Sequence, residues 1–181
     1  MIRNTNGTRG AVVWLTGLSG SGKTTTARAL AVKLTEAGHA AYVLDGDRLR
    51  QGLNSDLGFS PADRAENIRR AGEVAALLAD AGIIAIAAFI SPYRDGRDKA
   101  RKAAGPERFF EIYVDTPMEE CERRDVKGLY GRARTGEIAD FTGISAPYEP
   151  PLAPDLHIGG GSVEESVDRI AALLAERGVI A

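Results

Sequence analysis

Short apolar runs alternate along the chain with stretches whose apolar residues recur every three or four positions. Residues 11–15 are apolar without a break and read as a strand. Residues 22–37 follow the helical period, with Ala27, Leu30, Ala31 and Leu34 on one face, and Gly38 is a natural stop. Residues 40–44 read as a second strand. Ser60, Pro61 and Asp63 are a start signal for a helix whose inner face carries Ile68, Ala71, Ala75 and Leu78. Gly82 leads into residues 83–89, apolar throughout, as expected of a strand covered on both faces. A fourth strand is expected at 109–114. Thr116-Pro117-Met118-Glu119 reads as a capping box with proline at the first helical position. Residues 155–158 make a short last strand. A second box, Ser162 to Glu165, opens a final helix lined by Val167, Ile170, Ala171 and Leu174 and ended by Gly178. Strands alternating with helices predict an α/β fold of three layers around a mostly parallel sheet.

Residues 126–154 break the pattern. They hold glycines, prolines and basic residues with little periodicity, and so long an irregular stretch is usually functional or disordered. We expect a lid there, within one domain spanning residues 1–181. The composition is that of a globular protein, with 44% hydrophobic and 27% charged residues. A formal net charge of -2 supplies no global field for a nucleic-acid backbone, so no nucleic-acid partner is expected. The one cysteine, Cys121, can form neither an internal disulfide nor a cysteine-based zinc cluster. Residues 1–7 lack the apolar core of a signal peptide, and the longest apolar run, 83–90, is too short to cross a bilayer. A cytoplasmic protein without a membrane partner is the expectation.

Gly17-Leu18-Ser19-Gly20-Ser21-Gly22-Lys23-Thr24 fits G-x-x-x-x-G-K-[ST] between an expected strand and an expected helix. The glycines let backbone N–H groups approach phosphate oxygens, and the helix dipole adds positive charge. Lys23 can reach the β- and γ-phosphates of ATP, and Thr24 offers a hydroxyl to Mg²⁺. Leu44-Asp45-Gly46-Asp47-Arg48-Leu49-Arg50 follows the second strand, where ligands of open α/β sheets bind. One carboxylate can orient an attacking hydroxyl, either can hold Mg²⁺ through water, and Arg50 can grip an anionic acceptor. The bland alternative is a turn with a solvated charge pair.

With these two segments the chain resembles the adenylylsulfate (APS) kinase family, and the resemblance runs from about Gly10 to Ala175. It rests on Trp14-Leu15-Thr16 leading into the loop and Thr25 after it, on Leu44-Asp45-Gly46-Asp47, and on Asp56-Leu57-Gly58-Phe59-Ser60. It continues through Asp63-Arg64-Ala65-Glu66-Asn67-Ile68-Arg69-Arg70, Ala88-Phe89-Ile90-Ser91-Pro92-Tyr93-Arg94 and Val114-Asp115-Thr116-Pro117. Arg124-Asp125-Val126-Lys127-Gly128-Leu129-Tyr130, Phe141-Thr142-Gly143-Ile144 and Pro147-Tyr148-Glu149 complete it.

The family transfers the γ-phosphoryl of ATP to the 3′-hydroxyl of adenosine 5′-phosphosulfate, making PAPS and ADP. The resemblance implies that Gly17 to Thr25 and Arg124 bind ATP. Asp47 would be the catalytic carboxylate, and Asp45 and Thr24 would serve Mg²⁺. Arg50, Arg64 and Asn67 would hold APS, Phe59 and Phe141 would sandwich its adenine, and Ile90 would line its site. Lys127 and Leu129 would belong to the lid. Ser91 matches the family's phosphoserine position, although in-line transfer needs no covalent step. A homodimer and a functional link to ATP sulfurylase are further implications.

Taken alone, Arg64 and Asn67 share a helix face at i, i+3. Phe59 lacks an apolar staple partner, since that position is Arg64. Phe141 lies in a polar, glycine-rich stretch that does not read as core. Lys127, Arg132 and Arg134 are either lid cations or a solvated loop. Arg101 and Lys102 read as a solvated helix face, His39 as a surface residue after a helix-ending glycine, His157 as a structural residue without a partner constellation, and Cys121 as packed on its helix. Arg48, Leu49 and Gln51 depart from the family's usual Asn, Val or Ile, and His. Gly131 stands where a lid lysine is common, and Gly159-Gly160-Gly161 replaces a less glycine-rich link. A P-loop kinase for another small acceptor, such as a nucleoside monophosphate, and a non-catalytic nucleotide-binding switch are the competing readings.

Overall fold

A computed structural model describes residues 9–125 and 127–181. Five parallel strands form one sheet in the order β2-β3-β1-β4-β5. They are β1 Ala11–Thr16, β2 Ala41–Asp45, β3 Ile84–Ala88, β4 Phe109–Val114 and β5 Leu156–Ile158. The longer helices are α1 Lys23–Glu36, α3 Pro61–Asp80, α4 Arg94–Ala104 and α7 Val163–Glu176. Three short ones, α2 Gly46–Arg50, α5 Met118–Arg124 and α6 Leu129–Arg134, lie between strands at the sheet's carboxyl edge or after it. Among the described residues, no helix is long and apolar enough to cross a membrane.

Alternation along the strands splits the core into two layers. Val13 and Leu15, with Ile84, Ile86 and Ile112, pack against Leu30 and Leu34 of α1 and Ile170 and Leu174 of α7. Val12, Trp14, Ala85 and Ala87 face α3 and α4 on the other side. That side uses small residues so that helices come close. A Cβ on Gly72 of α3 would lie 2.9 Å from the Ala100 Cβ of α4. The Trp14 ring fills the remaining space, stacked against Phe89 at 5.3 Å and Phe109 at 5.7 Å. This is the expected three-layer α/β architecture.

Several local expectations need correction. Pro117, not Thr116, is the N-cap of α5, and no side chain caps it. The Thr116 hydroxyl donates instead to Ser21 O at 2.8 Å, so the nucleotide-loop backbone takes the group that the capping pattern assigned to the helix. The second box is present at Ser162 and Glu165. Helix α2 has no hydrophobic period and is held by its cap, Asp45, whose carboxylate accepts from Asp47 N and Arg48 N. Helix α6, inside the stretch expected to be irregular, is tied by the Asp125 carboxylate, which accepts from Tyr130 N at 3.0 Å and Gly131 N at 3.2 Å. Those bonds hold the Asp125 pKa below its ordinary value.

Arg101 is half-buried rather than on a freely solvated face. It reaches Asp155 Oδ2 at 3.1 Å and lies 4.8 Å over the Phe109 ring, whereas Lys102 is exposed. His157 does have partners: its Nε2 is 2.8 Å from Asp115 Oδ2, and its ring stacks on Tyr113 at 5.0 Å. Cys121 is fully buried, as expected. Residues 1–7 and Val126, the first residue of the expected lid, lie outside the described residues.

Candidate active site

Because all five strands run in one direction, the segments leaving β1, β2, β3 and β4 emerge at one edge. The loop after β1 turns through Gly20 and Gly22, whose φ values of 74° and 105° favour glycine. Gly22 is the N-cap of α1, so the helix's free N–H groups open onto the loop. The Lys23 ammonium is buried and folded back on the loop. It donates to Gly17 O at 2.9 Å, Leu18 O at 2.5 Å and Ser21 Oγ at 3.3 Å. Burial lowers its pKa from 10.5 to about 7, with Lys127 pushing the same way and Cys121, Asp45 and Asp47 opposing.

Thr24 Oγ1 donates to Asp45 Oδ2 at 3.1 Å, while Asp45 Oδ1 accepts from Asp47 N at 3.0 Å. Asp45 therefore joins the start of α1 to the start of α2. Mg²⁺ takes hard oxygen ligands and keeps several waters, so a hydroxyl beside a carboxylate fits it. Among the described residues, no group of three or more His, Cys, Asp or Glu could hold a metal without such help.

Asp47 stands exposed in the first turn of α2, and its Oδ2 accepts from the Lys127 ammonium. Two further groups join the 124–148 region to the nucleotide loop: Arg124 donates to Gly20 O at 3.3 Å and Tyr130 Oη to Ser19 O at 2.8 Å. The Tyr148 hydroxyl pairs with Thr16 Oγ1 at 2.9 Å. Leu129 packs with Leu18 against a small cluster of Cys121, Tyr130, Ala133 and Phe141. Phe141 is thus more core-like than its polar neighbours imply, lying edge-on to Tyr130 at 5.0 Å. Arg132 and Arg134 are exposed and paired with Glu137 and Glu122.

The other expected residues form a shelf beside Asp47. Arg50 donates to Leu57 O at 3.1 Å and Gly58 O at 3.0 Å, and its guanidinium covers the Phe59 ring at 4.3 Å. Phe59 is 64% exposed. Arg64 donates to Phe59 O at 2.9 Å, Thr142 Oγ1 at 2.5 Å and Asp140 O. Burial, then the neighbouring Arg64, lowers the Arg50 pKa from its ordinary value. Asn67, one turn further along α3, is buried. The departure at position 48 turns outward, with the Arg48 guanidinium 6.0 Å over the Tyr42 ring.

Ile90 and Ser91 follow β3. Ile90 O accepts from Thr16 Oγ1 at 2.8 Å. The Ser91 hydroxyl is buried, accepting from Trp14 Nε1 at 3.1 Å and donating to Phe89 O at 3.4 Å. Its backbone takes φ 42°, held by Arg97, which donates to Ser91 O at 2.6 Å, to Glu149 O at 2.7 Å and to Glu111 Oε1 at 2.6 Å. Sequence reasoning missed Arg97, Tyr130 and Asn54. Arg97 belongs to a highly charged helix, and no local pattern marks the face that meets Glu111.

A loop able to cradle triphosphate thus adjoins a cationic shelf able to hold a second, anionic molecule, with a carboxylate between them. The layout is that of a P-loop kinase. A profile for adenylylsulphate kinase matches residues 9–159. An adenylyl-sulfate kinase of Prochlorococcus marinus is 52% identical over 181 residues, covering 99% of this chain and 90% of that protein. One of Clostridium acetobutylicum is 54% identical over 174 residues, covering 95% and 86%. The APS kinase of Mycobacterium tuberculosis in complex with AMPPNP and APS superposes with a TM-score of 0.90 at 53% identity, over 93% of this chain and 99% of that one. The chain belongs to the adenylylsulphate kinase family.

Proposed function

We infer that this protein phosphorylates the 3′-hydroxyl of adenosine 5′-phosphosulfate with ATP, giving PAPS and ADP, a step of sulfate activation. The observation that carries this most directly is its likeness, over nearly the whole of both chains, to the Mycobacterium tuberculosis enzyme solved with an ATP analogue and APS. The chain also keeps Lys23, Thr24, Asp45 and Asp47.

ATP would lie on the loop from Gly17 to Thr25, with Arg124 at its base. Thr24 and Asp45 would hold Mg²⁺, which would supply positive charge to the phosphates of ATP. Arg50, Arg64 and Asn67 would hold APS, with Ile90 and Leu129 against it and Phe59 and Phe141 at its adenine. Asp47 orients the 3′-hydroxyl for in-line attack on the γ-phosphorus and takes its proton late, as ADP leaves. Lys23 stabilises charge on the transferred group. Residues 126–154 act as a lid: Lys127 leaves Asp47 when the acceptor arrives and turns its ammonium toward the phosphoryl oxygens. Ser91 takes no covalent part, since its hydroxyl is tied to Trp14 and direct transfer needs no phosphoenzyme. A cytoplasmic homodimer with a functional link to ATP sulfurylase completes the proposal.

The test is ADP release from ATP and Mg²⁺ with APS, AMP, CMP, gluconate and shikimate offered separately, with the product identified. APS-dependent turnover giving PAPS is expected. Turnover with another acceptor alone would leave a P-loop kinase of different specificity, and silence with all five would favour the nucleotide-binding switch.

A further inference from the structure

The segment between α2 and α3 carries a buried amide that no part of the proposed reaction uses. Asn54 is fully buried, its N–H bonded to Leu49 O at 2.8 Å. Its side-chain Nδ2 donates to Asn67 Oδ1 at 2.9 Å. The loop around it is clamped to α3 by Arg70, which donates to Leu53 O at 3.0 Å and to the two Asp56 carboxylate oxygens at 2.7 and 2.9 Å. Asn54 is therefore fixed in place, and so is the end of Asn67 that it touches.

An amide has an acceptor on one side and two donors on the other, so fixing one side fixes both. With Oδ1 occupied, Asn67 keeps only its Nδ2 hydrogens, and Nδ2 has no acceptor among the described residues. Reversing both amides would leave the Asn54 NH₂ buried without a partner. The observed orientation leaves only Asn54 Oδ1 so placed. An unpaired buried carbonyl is tolerated better than unpaired buried N–H groups.

We propose that Asn54 is a positioning residue that sets the polarity of Asn67, so that α3 presents an N–H donor beside Arg64 to an oxygen or ring nitrogen of the phosphoryl acceptor. This rests on the proposed acceptor role of Asn67. Without the Asn54 donor, Asn67 is free to turn its carbonyl toward an anionic ligand and repel it. Arg64 supplies charge, whereas Asn54 and Asn67 supply the direction of a single hydrogen bond.

Steady-state kinetics with APS and ATP on Asn54→Leu and Asn54→Asp, alone and combined with Asn67→Ala, test this. Both replacements keep the volume and remove the donor, and Asn54→Asp serves if Asn54→Leu does not fold. The KM for APS is expected to rise about tenfold, the scale of one lost hydrogen bond, with the KM for ATP within about twofold of wild type. In the Asn67→Ala background neither change should raise it further, because the two residues act as one unit. An unchanged KM for APS in the Asn54 variants, with a raised one in Asn67→Ala, would overturn the positioning role alone. So would equal effects in both backgrounds, or a parallel rise in the KM for ATP, which a merely structural defect would give. A normal KM for APS in Asn67→Ala would instead remove the acceptor role of Asn67 on which the proposal stands, and wild-type protein that does not turn over APS would remove the function itself.

Discussion

The nucleotide loop and the acceptor shelf are made in different ways. The loop is mostly backbone, set between a buried strand and a buried helix turn, and its shape comes from glycine conformations. Its lysine is already held in place by carbonyl oxygens of the loop. The shelf is mostly side chains on short or irregular segments, and its cations are occupied by the protein: Arg50 by Leu57 O and Gly58 O, Arg64 by Asp140 O and Thr142, Lys127 by Asp47. Binding ATP therefore asks one side chain, Lys23, to exchange loop oxygens for phosphate oxygens on a backbone already shaped, whereas binding the acceptor asks several side chains to exchange partners. On the proposed site assignments, donor recognition uses a preformed backbone, and acceptor recognition would require residues 127–148 to move.

The largest effect should come from the preorganised side. Lys23→Ala is expected to lower turnover at least ~100-fold, the scale for losing one electrostatic stabiliser of a transition state, as measured by ADP release at saturating substrates. Phe141→Ala should act differently. Its ring is buried against Tyr130, so the truncation should destabilise the region by about 3 kcal/mol and weaken acceptor binding together. Thermal unfolding and APS titration would show both, and APS affinity equal to wild type would reject its place beside the adenine.

A smaller effect should appear with pH. Lys23 has a pKa of about 7 in the ligand-free fold and 10.5 when exposed. The penalty for burying its charge is complete below pH 7. Between pH 7 and 10.5 the unfolded chain binds more protons, so stability rises with pH across that window. Melting temperatures of wild type and Lys23→Met, compared from pH 6.5 to 9.5, should converge as pH rises; a constant difference would count against the lowered pKa.

The same contrast decides what could be read from the sequence. The loop was legible because each fixed position has a local reason: glycine for its turn, lysine for charge, threonine for a hydroxyl. The strands were legible from apolar runs and α3 from Ser60-Pro61. Thr116 misled because its pattern cannot say that Ser21 O, 95 positions earlier, would take the hydroxyl. Phe141 misled for a related reason: its neighbours in sequence are polar, but its neighbours in space are Tyr130 and Cys121. Arg97 and Asn54 were invisible, since each matters through one distant partner. On the shelf, sequence resemblance supplied the residue identities, while their present partners came only from the fold.

The single measurement that bears most directly on the proposed chemistry is the turnover of Asp47→Ala with saturating ATP, Mg²⁺ and APS. Asp47 lies between the two halves, joined to one through Asp45 and to the other through Lys127. A fall of at least ~100-fold in kcat, with the KM for ATP within about threefold of wild type, is predicted for the loss of a general base. Near-normal turnover would contradict the assignment and mean that the hydroxyl is oriented by another group.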